Sequence, residues 1–224
     1  MVNKILLTFV AADVLFLATG AITLGFSLIA RQQMTEDATE GREAVRHLIY
    51  QNFPFEAGIA NAVFIFITFV LTLPGIITPT RGWLKLSGFL IVFCALFTLC
   101  IGVFLWILTL RMQDRFLDIW TDQNDGVRSL MQTAFECCGY FNSTTPAFIT
   151  DDICPSPAAA ALMRGCVGPV TSFANIFLDD IFTAVFGMVG VDTLLIICTT
   201  ILLKDRRERE RFRHIDEKRG YLRI

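Results

Sequence analysis

Cys137, Cys138, Cys154 and Cys166 stand within one polar stretch, and four thiols grouped in this way either pair as disulfides or hold a metal ion. Cys137 and Cys138 are adjacent and run into Gly139. A bond between neighbouring cysteines strains the backbone, which leaves two of the three pairings that four cysteines allow. Asp13 and Asp192 form a second chemical pair. They are the ionisable residues deepest in long apolar runs, where a charge is expensive and turns toward protein or water. Such carboxyls can share a proton, contact a lipid hydroxyl or lie on an ion path; the plainer alternative is two neutral groups bonded to nearby backbone or to Asn61. Asn142, Ser143 and Thr144 make the chain's Asn-x-Ser/Thr site.

Apolar length defines the elements that carry these residues. The chain is 54% hydrophobic and 18% charged, richer in apolar residues than ordinary globular domains. The runs at 5–30, 57–77, 86–110 and 181–203 each approach the ~20 residues a helix needs to cross a hydrocarbon core. A barrel strand would need about 10 alternating residues and a closed barrel. The expected fold is therefore an all-α membrane protein, a bundle of four transmembrane helices with a small and a large connection on one side.

Basic residues set the orientation. Lys4 precedes the first run, Arg81 and Lys85 lie in the 78–85 connection, and the 204–224 tail holds nine, whereas 31–56 and 111–180 together hold seven in a much longer stretch. The positive-inside rule then makes 1–4, 78–85 and 204–224 cytoplasmic and the other two connections extracellular or lumenal, at the plasma membrane or in the endomembrane system. The large outer connection has nine acids and four bases, net −5, an excess hidden by the −2 of the whole chain. The first run also has features of a secretory signal, with Lys4 ahead of it and Ala18 and Gly20 within it. Asp13 inside the run and a length of about 26 residues argue against cleavage.

An oxidising side favours disulfides over zinc for the four cysteines, and the one histidine there, His47, is distant in sequence. His214 is expected on the opposite side, which excludes a bis-histidine haem and leaves no nucleophile with a base beside it. No catalytic residue, metal site or nucleic-acid partner is expected. Asn142 lies in the right compartment for N-glycosylation. From Arg111 the third span is expected to continue as an amphipathic helix bearing Met112, Phe116, Ile119 and Trp120 on one side. Asn124, Asp125 and Gly126 interrupt it, and a second helix carries Val127, Leu130, Met131 and Phe135 to Cys137. The stretch from 140 to 168 is too rich in proline and glycine to build much core and needs its staples. Thr171 and Ser172 are expected to cap the helix leading into the last span.

Small or weakly polar residues recur every seven positions: Asp13, Gly20 and Ser27; Asn61, Thr68 and Gly75; Gly88, Ala95, Gly102 and Thr109. That repeat keeps one stripe toward a neighbour, and small residues let helix backbones approach closely in lipid. Pro74 removes a backbone donor and can bend the second span. Helical rise puts Asp13 and Asp192 at depths within roughly 5 Å of one another and Cys198 about 9 Å from the inner boundary. Cys198 is a candidate for palmitoylation, against the plainer reading of a buried thiol. The tail pairs Asp205 with Arg209 and Arg206 with Glu210 at helical spacing, which extends the fourth helix. Its basic excess suits anionic lipid heads or an adaptor protein.

Four spans, a small first and a large second outer connection, and Cys137-Cys138-Gly139 followed by two more cysteines resemble the tetraspanin family over the whole chain. Claudins carry their cysteines in the first outer connection, and 31–56 has none. The resemblance implies that Cys137 pairs with Cys166 and Cys138 with Cys154. It also implies a non-enzymatic organiser that gathers partner proteins through the large outer connection and the helix faces, together with membrane lipids. Tetraspanins tend to place polar residues where Asp13 and Asp192 stand, in some members lining a lipid-holding cavity, so a bound sterol is the implied ligand. Asp13 replaces the usual asparagine, and 78–85 lacks the cysteines that many members acylate. The stretches 80–85 (TRGWLK), 137–144 (CCGYFNST) and 212–221 (FRHIDEKRGY) are similar to the filamentous-fungal branch linked to host penetration from appressoria, which implies polarised growth and a membrane NADPH oxidase nearby. Two further readings are an accessory subunit of such an oxidase and a small transporter using Asp13 and Asp192.

Overall fold

The computed structural model describes residues 4–35, 38–78 and 81–221. Residues 1–3, 79–80 in the short connection and 222–224 of the tail lie outside the described residues. All regular structure among the described residues is helical: α1 (Lys4–Gln33), α2 (Gly41–Tyr50), α3 (Phe55–Ile77), α4 (Arg81–Leu110), α5 (Met112–Asp122), α6 (Asp125–Phe135), α7 (Pro157–Leu162) and α8 (Val167–Tyr221). α1, α3, α4 and α8 are each long and apolar enough to cross a membrane. All four extend beyond the apolar runs, because a helix continues into polar sequence wherever nothing breaks it.

The chain divides into two compact units, one of 1–26, 56–101 and 185–224, the other of 27–55 and 102–184. The first is a four-helix bundle. Phe9, Ala12 and Phe16 from α1, Ile65 from α3, Leu84, Ile91 and Cys94 from α4, and Leu195, Cys198 and Leu202 from α8 fill its centre. Their spacing of three and four turns one face of each helix inward. The seven-residue stripes fall on those faces. Asp13, Gly20, Asn61, Thr68, Gly75 and Ala95 are buried, and a Cβ on Gly20 would stand 2.6 Å from Ile65 Cγ2. Further along the same stripe of α4, a Cβ on Gly88 would meet the Thr199 side chain of α8 at 3.3 Å. Contacts this close supply the dispersion energy that lipid solvent does not provide through the hydrophobic effect. α3 runs on through Pro74 to Ile77.

The second unit packs Ala44, Val45, Leu48 and Ile49 of α2, Met112, Phe116 and Trp120 of α5, and Met131 and Phe135 of α6 against Val170, Ala174 and Leu178 of α8. α2 was not legible as a helix in the 31–56 connection. Its apolar residues need α6 as a partner, and a Cβ on Gly41 would lie 2.1 Å from Leu130 O, so α2 and α6 meet at backbone distance. Arg111 breaks the helix between α4 and α5, where a continuation was expected. Asn124 caps α6 by accepting from Val127 N, which leaves Gly126 inside that helix. Thr171 and Ser172 do not cap α8. The helix already begins at Val167, and the Thr171 hydroxyl donates to Val167 O.

Candidate functional site

Two places concentrate polar chemistry, and the first is the turn that follows α6. Glu136 ends that helix in the left-handed region at φ 50°, while Cys137 N donates back to Gln132 O. Two residues on, Gly139 is also left-handed at φ 70°, and a Cβ there would stand 2.1 Å from Asn142 O. Only glycine meets both conditions. The chain therefore reverses at Gly139 with both cysteines directed inward, each fully buried.

Cys137 is bonded to Cys166 and Cys138 to Cys154, with Cα separations of 5.0 and 6.0 Å. The first bond lies in the core shared by α2, α5, α6 and α8. The second has its own small core with Ala160, Phe148, Ile153 and Met163, in a stretch where composition promised little packing. α7, capped by the Ser156 hydroxyl on Ala159 N, supplies part of it. Short backbone bonds tie the two ends of this head together: Cys138 N to Arg164 O at 3.0 Å, Cys166 N to Gly139 O at 2.9 Å and Val167 N to Tyr140 O at 2.9 Å. These bonds serve the first turn of α8 and account for its early start.

Gln132 organises the rest of the head. Fully buried, it donates from Nε2 to Ile149 O at 2.8 Å and Asp151 Oδ2 at 2.7 Å, and accepts at Oε1 from Gly139 N and Ile149 N. The second oxygen of Asp151 accepts from Ile153 N and Cys154 N. Sequence reasoning passed over both residues. The available signal was a glutamine one helical turn before Phe135 on the buried side of α6, a place where a polar side chain needs partners. Asn142 is exposed, and its carboxamide oxygen accepts from Thr144 N, the Thr144 hydroxyl and Thr145 N at 2.8–2.9 Å. Phe141 and Leu162 leave large apolar areas on the surface of the head, 48% and 90% exposed.

The second place is inside the four-helix bundle. Asp13 of α1 is 1% exposed and accepts from the Thr72 hydroxyl of α3 at 2.6 Å, while its other oxygen has no partner. Asn61 donates to the Thr98 hydroxyl of α4 at 3.0 Å, and that hydroxyl donates to Cys94 O. Thr68 and Cys94 meet at 3.5 Å. Asp192 of α8 is also 1% exposed and lies beside Thr98 and Cys94, yet neither carboxylate oxygen has a hydrogen-bond partner. Asn61 is thus engaged by Thr98, and neither acid bonds to it. Cys198 is buried in the same bundle, while Cys100 is exposed on its outside.

No family model, curated protein or solved structure matches the chain. His47 is buried in α2 of the second unit, and His214, in the terminal stretch of α8 in the first, approaches Glu217 at 3.5 Å. No three histidine, cysteine or acidic side chains stand together as metal ligands among the described residues.

Proposed function

We propose that the chain is a non-enzymatic membrane organiser of tetraspanin type. Its head lies outside the cytoplasm and captures partner membrane proteins, and both ends of the chain face the cytoplasm. The observation that carries this reading is the head itself, closed by two disulfides and a glycine-only turn and presenting Phe141 and Leu162 to solvent. Exposed apolar side chains on a stapled, rigid frame suit binding, because the frame limits the ordering cost of association. Disulfides also call for an oxidising space, which supports a lumenal or extracellular head.

In the bundle, the orphaned oxygens of Asp13 and Asp192 suit a hydroxyl donor carried by a lipid. An unpaired buried polar group costs about 1–3 kcal/mol, which a donor from the membrane would relieve. A sterol hydroxyl has that chemistry.

The test is purification of the tagged chain from its native membranes in mild detergent, with mass spectrometry of what accompanies it. Several membrane proteins at sub-stoichiometric levels are expected, and the pair Phe141→Ser and Leu162→Ser should remove them while both disulfides persist. A single stoichiometric oxidase would replace the organiser reading with that of an accessory subunit. A solitary protein would overturn both.

A further inference from the structure

N-glycosylation at Asn142 would join its Nδ2 to C1 of a sugar held on a lipid pyrophosphate. The C1–O bond breaks, the pyrophosphate leaves with that electron pair, and Nδ2 gives up one proton to a base of the transferase. A carboxamide nitrogen is a poor nucleophile, because its lone pair is shared with the carbonyl through the resonance that also flattens the peptide bond. It attacks only where a catalyst loosens that sharing.

The closed head acts in the opposite sense. Thr144 N, the Thr144 hydroxyl and Thr145 N all donate to Asn142 Oδ1, at 2.9, 2.9 and 2.8 Å. Donors on the oxygen favour the form with negative charge there and draw the lone pair away from Nδ2. The Thr144 hydroxyl is the group that makes this stretch an acceptor site, and it is spent in the same turn.

The backbone is committed as well. Gly139 O and Tyr140 O accept from Cys166 N and Val167 N, Phe141 N donates to Thr145 O at 3.1 Å, and Phe148 N donates to Ser143 O at 3.4 Å. On the far side Gly165 lies against the chain, where a Cβ would stand 2.2 Å from Phe141 O. Gly165 and Cys166 are held there by the bond from Cys166 to Cys137. A transferase that draws the 139–148 segment into its cleft must first break these contacts, so transfer is limited to the fraction of heads that are open. Asn142 is itself exposed, and a sugar attached earlier fits on the finished head.

We propose that Asn142 is an acceptor for N-glycosylation only while the head is open, and that closure of Cys137–Cys166 and Cys138–Cys154 withdraws it. The order of the two events then decides which chains carry a sugar next to Phe141, on the face proposed above to capture partners. This inference rests on the reading that places the head outside the cytoplasm.

The experiment uses the full chain, made in bacteria with both disulfides formed and no glycan, and purified in detergent. It is incubated with purified oligosaccharyl transferase and a lipid-pyrophosphate-linked oligosaccharide, beside the reduced chain, a variant with serine at all four of these cysteine positions, and a synthetic peptide of residues 139–147. Detergent removes sidedness, so the result does not depend on which way the head faces. The peptide, the reduced chain and the serine variant are expected to accept sugar at least about tenfold faster than the closed chain, the ratio set by the open fraction. Thr144→Ala should abolish transfer in all of them. Transfer to the closed chain at the rate of the peptide overturns the proposal and makes the turn a ready-made acceptor. Reduced and serine-substituted chains that stay as slow as the closed one overturn it too, as does a peptide that accepts nothing.

Discussion

Gly139 and Gln132 decide the head residue by residue. Gly139→Ala would introduce both a left-handed alanine and a clash with Asn142 O, so a cost of at least about 2 kcal/mol and loss of native pairing are expected. Peptide mapping without reduction reads the outcome, and native bonds at full yield would refute it. Gln132→Leu leaves Gly139 N, Ile149 N and Asp151 without their partner and should destabilise the head by about 2–4 kcal/mol. Hydrogen exchange at Ile149 N would show it as lost protection. At the start of α2, Glu43 accepts from the backbone N–H and hydroxyl of Thr39, and these bonds hold its carboxyl below the ordinary value of 4.5. A depressed carboxyl stabilises the fold above its unfolded value and loses that contribution as pH falls through the folded one. Thr39 N–H should therefore be protected at pH 7 and lose that protection as acidification carries the carboxyl through its lowered folded value; a protection factor that does not change on acidification would contradict the assignment. The cysteines, the glycine and the two aspartates were legible because their residue types are rare in such surroundings. Gln132, Thr72 and Thr98 were not, since a glutamine or threonine on a helix acquires meaning only from what folds against it.

At the scale of the elements, apolar length was enough to read four membrane-length helices, and the seven-residue stripes picked out buried faces. Helix limits were less legible. The start of α8 is fixed by Gly139 O and Tyr140 O, which come from a turn almost thirty residues earlier in sequence, so Thr171 and Ser172 lost the capping role their types advertise. α2 was hidden for a similar reason, because ten residues make a marginal helix alone and its apolar side needs α6. Asp192 gives the sharpest prediction at this scale. An acid with both oxygens unpartnered weakens the bundle, so Asp192→Leu should raise its stability by about 1–3 kcal/mol and abolish retention of a hydroxyl-bearing lipid. Thermal unfolding in detergent, with lipid extraction from the same samples, checks both. A destabilised bundle that still holds its lipid would show Asp192 to be structural.

For the whole molecule, the two disulfides close separations of 29 and 16 residues, each worth about 3–4 kcal/mol by chain entropy. They have different territories. Replacing Cys138 and Cys154 by serine should loosen the small head core and spare the core of α2, α5, α6 and α8, whereas replacing Cys137 and Cys166 should disturb both, as limited proteolysis would reveal. Equal damage from the two pairs would contradict this division. Charge and compartment combine in the proposed topology, which puts the stapled head on the oxidising side of the membrane and the terminal stretch of α8 on the cytoplasmic side. The most direct measurement is protease protection in sealed, cytoplasmic-side-out microsomes, with one epitope inserted at Leu162 and another at the end of the chain. The head epitope should survive until detergent is added, and the tail epitope should be removed at once. Cleavage of the head epitope in intact vesicles would contradict the account, because a head facing the cytoplasm could neither keep its disulfides nor meet partners outside.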